Sequence, residues 1–196
     1  TIPSAASAAT NDWPQFRGPK RDGVSSETGL LKKWPEDGPK VVWKASGMGQ
    51  GFSSVSVADD RVYTMGDLKD ASFVFALSDK DGQQLWSAKV GTGFSSFSVA
   101  QDKVYTMGHR GGDDSVYCFA AADGSQLWKH SYPCELVDNL HEGGPAATPT
   151  VDGDRVYTVS KQGHTFCLAV ATGEVLWKLN LSEVLSVDMP EWGFSC

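Results

Sequence analysis

No stretch of the 196 residues approaches the ~18 consecutive apolar side chains that a membrane-spanning helix needs, so no transmembrane segment is expected. Positive charge is scarce. There are 17 Lys and Arg against 24 Asp and Glu, a formal net charge of −7. Such a chain repels phosphate backbones, which excludes nucleic acid and anionic membrane surfaces as main partners. Cysteine is sparse too. The four, Cys118, Cys134, Cys167 and Cys196, include no adjacent pair and no C-x-x-C spacing. Thiolate frames for structural zinc are therefore missing. No Gly-x-Ser-x-Gly nucleophile elbow occurs. Asp79-Lys80-Asp81-Gly82 begins like a calcium loop but lacks the later Glu, and reads as a solvated turn. His109, His130, His141 and His164 have no ligand spacing. No metal site and no catalytic residue are expected from these patterns.

What is abundant points one way. The chain has 21 Gly, 9 Pro and 7 Trp, with 40% hydrophobic and 11% aromatic residues. That composition excludes disorder and suits a turn-rich, aromatic-rich β protein. The first ten residues are small and featureless, and Ala6-Ser7-Ala8 fits the small-x-small pattern before a signal-peptidase cut. Export, to the periplasm or outside the cell, is the expectation.

Internal repetition decides the fold. GFSSVSVADDRVYTMG, residues 51–66, returns as GFSSFSVAQDKVYTMG, residues 93–108, at an offset of 42. ATPTVDGDRVYTV, residues 147–159, is a third copy. Each copy is followed by a shared second element: FALSDKDGQQLW, YCFAAADGSQLW and FCLAVATGEVLW, ending at Trp86, Trp128 and Trp177. β-Branched residues alternate within a copy, and Asp-Gly or Thr-Gly marks the second hairpin, where Gly accepts positive φ without a Cβ clash. The pattern predicts four strands per repeat, in the first copy over 53–58, 61–66, 72–78 and 83–89. Four strands in about 42 residues is a propeller blade. The expectation is an all-β propeller of four-stranded antiparallel blades, with three complete copies. Val41-Val42-Trp43-Lys44 reads as the last strand of another blade, and Gly193-Phe194-Ser195-Cys196 as the start of the next. Three blades cannot close a ring, so the chain reads as part of a seven- or eight-bladed propeller, or as half of a ring assembled from two short chains. Residues 1–40 form an N-terminal tail and lead-in segment, and 41–196 the partial propeller.

The repeated Trp is expected between blades, where its ring buries about 150–250 Å². Cys118 and Cys167 both fall where the first copy has Ala76, a small buried slot, too far apart for a disulfide.

This repeat, Asp/Thr-Gly-x-x-Leu-Trp after an apolar strand, resembles the pyrroloquinoline-quinone (PQQ) repeat family of β-propellers over about residues 41–196. Trp13-Pro14-Gln15-Phe16-Arg17-Gly18-Pro19, with Gly23-Val24-Ser25, is similar to the lead-in of exported bacterial propellers of that type. The family includes quinoprotein alcohol dehydrogenases and the non-enzymatic propeller lipoprotein of the outer-membrane assembly machine. The dehydrogenases stack adjacent cysteines on the quinone and bind Ca²⁺ through carboxylate and amide side chains. The resemblance therefore implies either a non-catalytic binding scaffold, with no cofactor, or an alcohol or sugar dehydrogenase, with PQQ and Ca²⁺. An unrelated hydrolase or lyase on the same fold is a third, weaker reading.

In an up-and-down blade the A–B and C–D turns share one face of the ring, and the B–C and D–A connections share the other. The first set is short in every copy. The second varies, over 67–71, 109–113, 131–144 and 179–192. Function concentrates on such loops. The candidate ligand- or partner-binding residues are Phe52, Phe94, His109, Arg110, His141, Glu142 and Trp192, facing a protein or small-molecule ligand.

Overall fold

The computed structural model describes residues 12–51, 53–69, 71–137 and 142–195. Twelve strands form three four-stranded antiparallel sheets, each in chain order. Blade 1 contains β1 (Ser56–Ala58), β2 (Arg61–Leu68), β3 (Ala71–Ser78) and β4 (Gln84–Lys89). Blade 2 contains β5 (Ser98–Ala100), β6 (Lys103–Arg110), β7 (Asp113–Ala120) and β8 (Gln126–Pro133). Blade 3 contains β9 (Thr150–Asp152), β10 (Arg155–Val159), β11 (His164–Ala169) and β12 (Val175–Asn180). One short helix, α1 (Leu181–Leu185), follows.

The tight A–B turns explain why polar residues recur there. Asp59 and Asp60 have φ of 51° and 59°, and Gln101 and Asp102 have 53° and 58°. Two successive left-handed residues match the twist of the strands they join. Each C–D turn closes on a glycine with positive φ, at Gly82, Gly124 and Gly173.

Period-two alternation sends each sheet's side chains to two different neighbours. Tyr63, Val74 and Trp86 of blade 1 pack against Phe97, Val104 and Phe119 of blade 2. Tyr105, Val116 and Trp128, from the opposite face of blade 2, pack against Val156, Phe166 and Leu168 of blade 3. The three blades share one register. Tyr63, Tyr105 and Tyr157 pair across the ladder with Ala76, Cys118 and Cys167. Those residues in turn pair with Trp86, Trp128 and Trp177, and each sheet bulges one residue later. Cys118, Cys134 and Cys167 are free thiols.

Four expectations change in detail. The first strand of blade 1 is shorter than 53–58, because the segment before it is tied to the next blade. The Ser54 amide and hydroxyl both donate to Ser96 Oγ, at 3.2 and 2.8 Å. Val41–Lys44 forms no strand; its backbone has no ladder partner among the described residues, although Trp43 docks as expected. The connections at 67–71 and 109–113 are not loops, because β2, β3, β6 and β7 extend through them. Likewise 131–133 belongs to β8 and 179–180 to β12, which narrows the long D–A connections to 134–144 and 181–192.

Candidate functional site

Described residues of both long D–A connections meet B–C turns, Cys134 N donating to Gly112 O at 3.1 Å and Leu181 N to Gly163 O at 2.9 Å. His109 is next to last in β6 and Asp114 second in β7, opposite each other across the Gly111-Gly112 turn. Their side chains meet at 2.9 Å, His109 Nδ1 to Asp114 Oδ1, and both are buried. His109 shares a sheet face with Tyr105 and Met107, so its ring is directed at blade 3 and not at solvent. Burial raises the Asp114 carboxyl above its ordinary range, and the His109 and Cys134 side chains partly offset this. Burial pushes the Cys134 thiol up to about 12, with the Asp114 charge adding to the effect. Burial lowers Lys161 in blade 3, against the pull of Asp114. The Asp114–His109 pair thus fixes the tip of the second B–C hairpin and faces a buried, mixed-charge seam between blades 2 and 3.

Two adjoining pockets open between blades 1 and 2. One, of about 330 Å³, is lined by Lys89, Arg110 and Leu136, among others. The second, of about 210 Å³, is lined by Asp67, Lys69 and Glu142. They share Ala71 and Thr92. Arg110 and Glu142 thus line adjoining pockets. His109 adds backbone, since its amide and carbonyl bond with Thr92 at 2.7 and 2.9 Å.

Phe94 and Trp192 lie apart from these pockets. The Phe94 amide donates to Pro145 O at 2.8 Å, and its ring lies 5.7 Å from Lys161 Nζ. Trp192 is exposed at the end of the 181–192 connection, next to Gly193, which rests on the Lys161 side chain. Phe52 and His141 lie outside the described residues.

Sequence reasoning missed Asp114 and Lys161. Asp114 was within reach: residues 109 and 114 are equidistant from Gly111-Gly112, so a two-residue hairpin pairs them. Lys161 carries no such signal.

The lead-in segment crosses the innermost strands at equivalent positions. Trp13 and Val57 exchange backbone hydrogen bonds of 2.8 and 2.9 Å, and Val99 N donates to Pro14 O at 2.8 Å. Arg21 Nη2 donates to Val151 O at 2.7 Å. A pocket of about 280 Å³ lies beside this strap, lined by Phe16, Arg17, Arg21 and 148–150.

Comparison with known proteins agrees with this architecture. Residues 21–191 match the family described as outer membrane protein assembly factor BamB. Among solved structures, the chain is similar to BamB from Moraxella catarrhalis at a TM-score of 0.53 and 15% identity, over 71% of this chain and 39% of that one. It is similar to quinohemoprotein alcohol dehydrogenase from Comamonas testosteroni at a TM-score of 0.62 and 16% identity, over 86% of this chain and 27% of that one. It is also similar to quinohemoprotein alcohol dehydrogenase ADHIIG from Pseudomonas putida HK5, at 0.51 and 20% identity, over 71% of this chain and 22% of that one. At these identities the shared property is the fold. The chain spans well under half the length of each of these proteins. No curated protein sequence matches it.

Proposed function

The chain belongs to the family of the outer membrane protein assembly factor BamB, a family of PQQ-repeat β-propellers, and from that premise we propose that it is an exported, non-catalytic scaffold that holds a protein partner on its insert-bearing face. The observation that carries this reading is the asymmetry between the two faces. The A–B and C–D turns are close copies in all blades. The added chain falls in the other set of connections, 134–144 and 181–192, where Leu136 and Arg110 line one pocket and Glu142 its neighbour. A rigid scaffold with elaborated loops on one side suits recognition.

The described residues do not fit a calcium–quinone centre. Cys118, Cys134 and Cys167 sit in separate buried positions. Among the described residues, no three His, Cys, Asp or Glu side chains gather where they could hold a metal ion. The inner edges of β1 and β5 are taken by Trp13 and Pro14. The dehydrogenase alternative, with PQQ and Ca²⁺, draws on the shared fold alone.

Photo-crosslinking in the full-length protein in its own cells tests the proposal. Crosslinkers at Arg110, Glu142 and Trp192 are expected to trap one and the same protein. Crosslinkers at Asp81, Asp123 and Glu174, in the opposite turns, are expected to trap none. Quinone co-eluting at about one per chain, with alcohol-dependent dye reduction, would replace the scaffold with the dehydrogenase.

A further inference from the structure

The two long connections have a composition unlike the rest of the chain. Residues 134–144 carry Glu135, Asp138 and Glu142; residues 181–192 carry Glu183, Asp188 and Glu191. Neither contains a Lys or Arg. Between the second set of carboxylates lie Val184, Leu185, Val187 and Met189, all exposed, Val184 at 62%.

Apolar side chains usually hold a short segment in place by being buried. Here they do not, since α1 buries none of its residues. The helix is held by polar contacts at its ends instead. Asn180 caps its first turn, accepting from Ser182 N at 2.9 Å, and Val187 N donates to Ser182 O at 3.1 Å past the left-handed Ser186. Asn180 Nδ2 and Leu181 N bond Gln162 O and Gly163 O, at 3.1 and 2.9 Å. Gln162 also reaches the other connection, donating from Nε2 to Glu135 O at 3.3 Å. One turn of blade 3 thus bonds both the start of the 181–192 connection and Glu135 of the other. The result is a shaped segment, 181–192, whose exposed apolar side chains alternate along the chain with carboxylates.

We propose that the 181–192 connection, with Glu135 tied to the same turn, forms an acidic, apolar docking surface for a protein that offers an apolar patch rimmed by Lys and Arg. This rests on the scaffold reading and adds the chemistry of the partner. Charge complementarity selects the occupant. Glu183, Asp188 and Glu191, with Glu135 bonded to the same turn, lie on segments that carry no Lys or Arg, and they repel anionic lipid, nucleic acid and a second copy of an acidic chain while attracting a basic rim. The exposed valine, leucine and methionine supply the desolvated centre that a charged rim alone lacks.

The test uses the full-length protein and a fluorescent 18-residue Leu/Lys amphipathic helix as probe. It is expected to bind, and to weaken about tenfold between 50 and 300 mM NaCl. The triple reversal Glu183→Lys, Asp188→Lys, Glu191→Lys, and separately Val184→Ser with Val187→Ser, should each weaken it about tenfold or more. The melting temperature should not move, since these side chains are exposed. Equal binding of a Lys/Ser peptide of the same charge, or binding unaffected by the triple reversal, overturns the proposal. So does protection of Val184→Cys and Val187→Cys from maleimide without a partner, which would mean that the chain covers this surface itself. Crosslinks from Arg110 and Trp192 that persist in the triple reversal remove this surface and leave the scaffold standing. Crosslinks absent from every position remove both.

Discussion

Gly124 lies directly under the indole of Trp86. A Cβ at 124 would fall 2.6 Å from the ring, and the indole N–H donates to Ala121 O at 3.0 Å within the same turn. Trp128 meets Gly173 and Val170 O in the same way, and Trp43 meets Gly82 and Asp79 O. Each blade therefore closes its C–D turn on a glycine that the preceding tryptophan requires for space, while the turn itself requires it for φ. The blade-to-blade joint is a repeated lock of one ring, one glycine and one carbonyl.

Two demands on one residue can be separated by substitution. Gly124→Ala and Gly173→Ala should destabilise the chain by about 3 kcal/mol each, from left-handed strain and from the collision with the ring. Gly153→Ala is the control. Its φ is 57°, but no atom lies within 4 Å of a Cβ there, so strain alone should cost about 1 kcal/mol. Urea unfolding of the three variants measures the difference. Equal losses at 124 and 153 would show that the tryptophan contact contributes little.

The tryptophans themselves should divide by neighbour. Trp86 and Trp128 are 7% and 8% exposed, whereas Trp177 is 42% exposed. Trp86→Ala and Trp128→Ala should each cost about 3–5 kcal/mol. In the 196-residue chain Trp177→Ala should cost under about 2 kcal/mol, since among the described residues only Tyr157, at 6.0 Å between ring centres, stacks on it. Chemical denaturation in parallel reads this out. A loss at Trp177 as large as at Trp86 would place its role inside its own blade.

These locks explain why the fold was legible in the sequence. Inter-blade packing puts the same residue at the same register in every copy, so Trp, the Tyr63–Ala76 type of pair and the turn glycines recur where the eye can align them. Contacts made once leave no such trace. The Asp114–His109 pair occurs only in blade 2. α1 has no buried face, so it lacks the period that marks a helix, and its signal is a single capping Asn180. Val41–Lys44 reads as a strand from side chains alone, but a strand also needs a backbone partner. The candidate face was legible as variable length in the D–A connections. Which residues line its pockets depended on how far the B–C strands extend, and composition does not encode that.

Tyr63 predicts an alkaline limit to stability. It is fully buried, and its hydroxyl has no hydrogen-bond partner among the described residues. Burial raises its phenol from 10.0 to about 12. Between those values the unfolded chain has released a proton that the native chain still holds. The native state binds more protons there, so stability falls as pH rises through the window, and the contribution is intact below pH 10. Tyr63→Phe should remove about 2 kcal/mol of that alkaline loss. At neutral pH it should be neutral or stabilising by up to about 1 kcal/mol, because it deletes an unpaired buried hydroxyl. Urea midpoints from pH 7 to 12 test both parts. A destabilised variant at pH 7 would reveal a partner for the hydroxyl.

The lead-in strap should protect the inner edges of the first two blades from exchange. The amides of Val57 and Val99 have acceptors only in Trp13 and Pro14, on the side of their strands away from β2 and β6. Gly18 is the vulnerable point of the strap. Its φ is 80°, and a Cβ there would lie 2.7 Å from the Trp13 ring. Gly18→Ala must either move Trp13 or open the turn that Gly18 N makes with Gln15 O at 2.9 Å. Hydrogen exchange at Val57 and Val99 should therefore accelerate at least about tenfold, a local opening cheaper by about 1.4 kcal/mol or more. Val116, in the centre of blade 2, should keep its wild-type rate, because its ladder does not involve the strap. Uniform acceleration at all three amides would mean that the strap stabilises the whole arc. No change at Val57 and Val99 would mean that the inner edges are shielded without it.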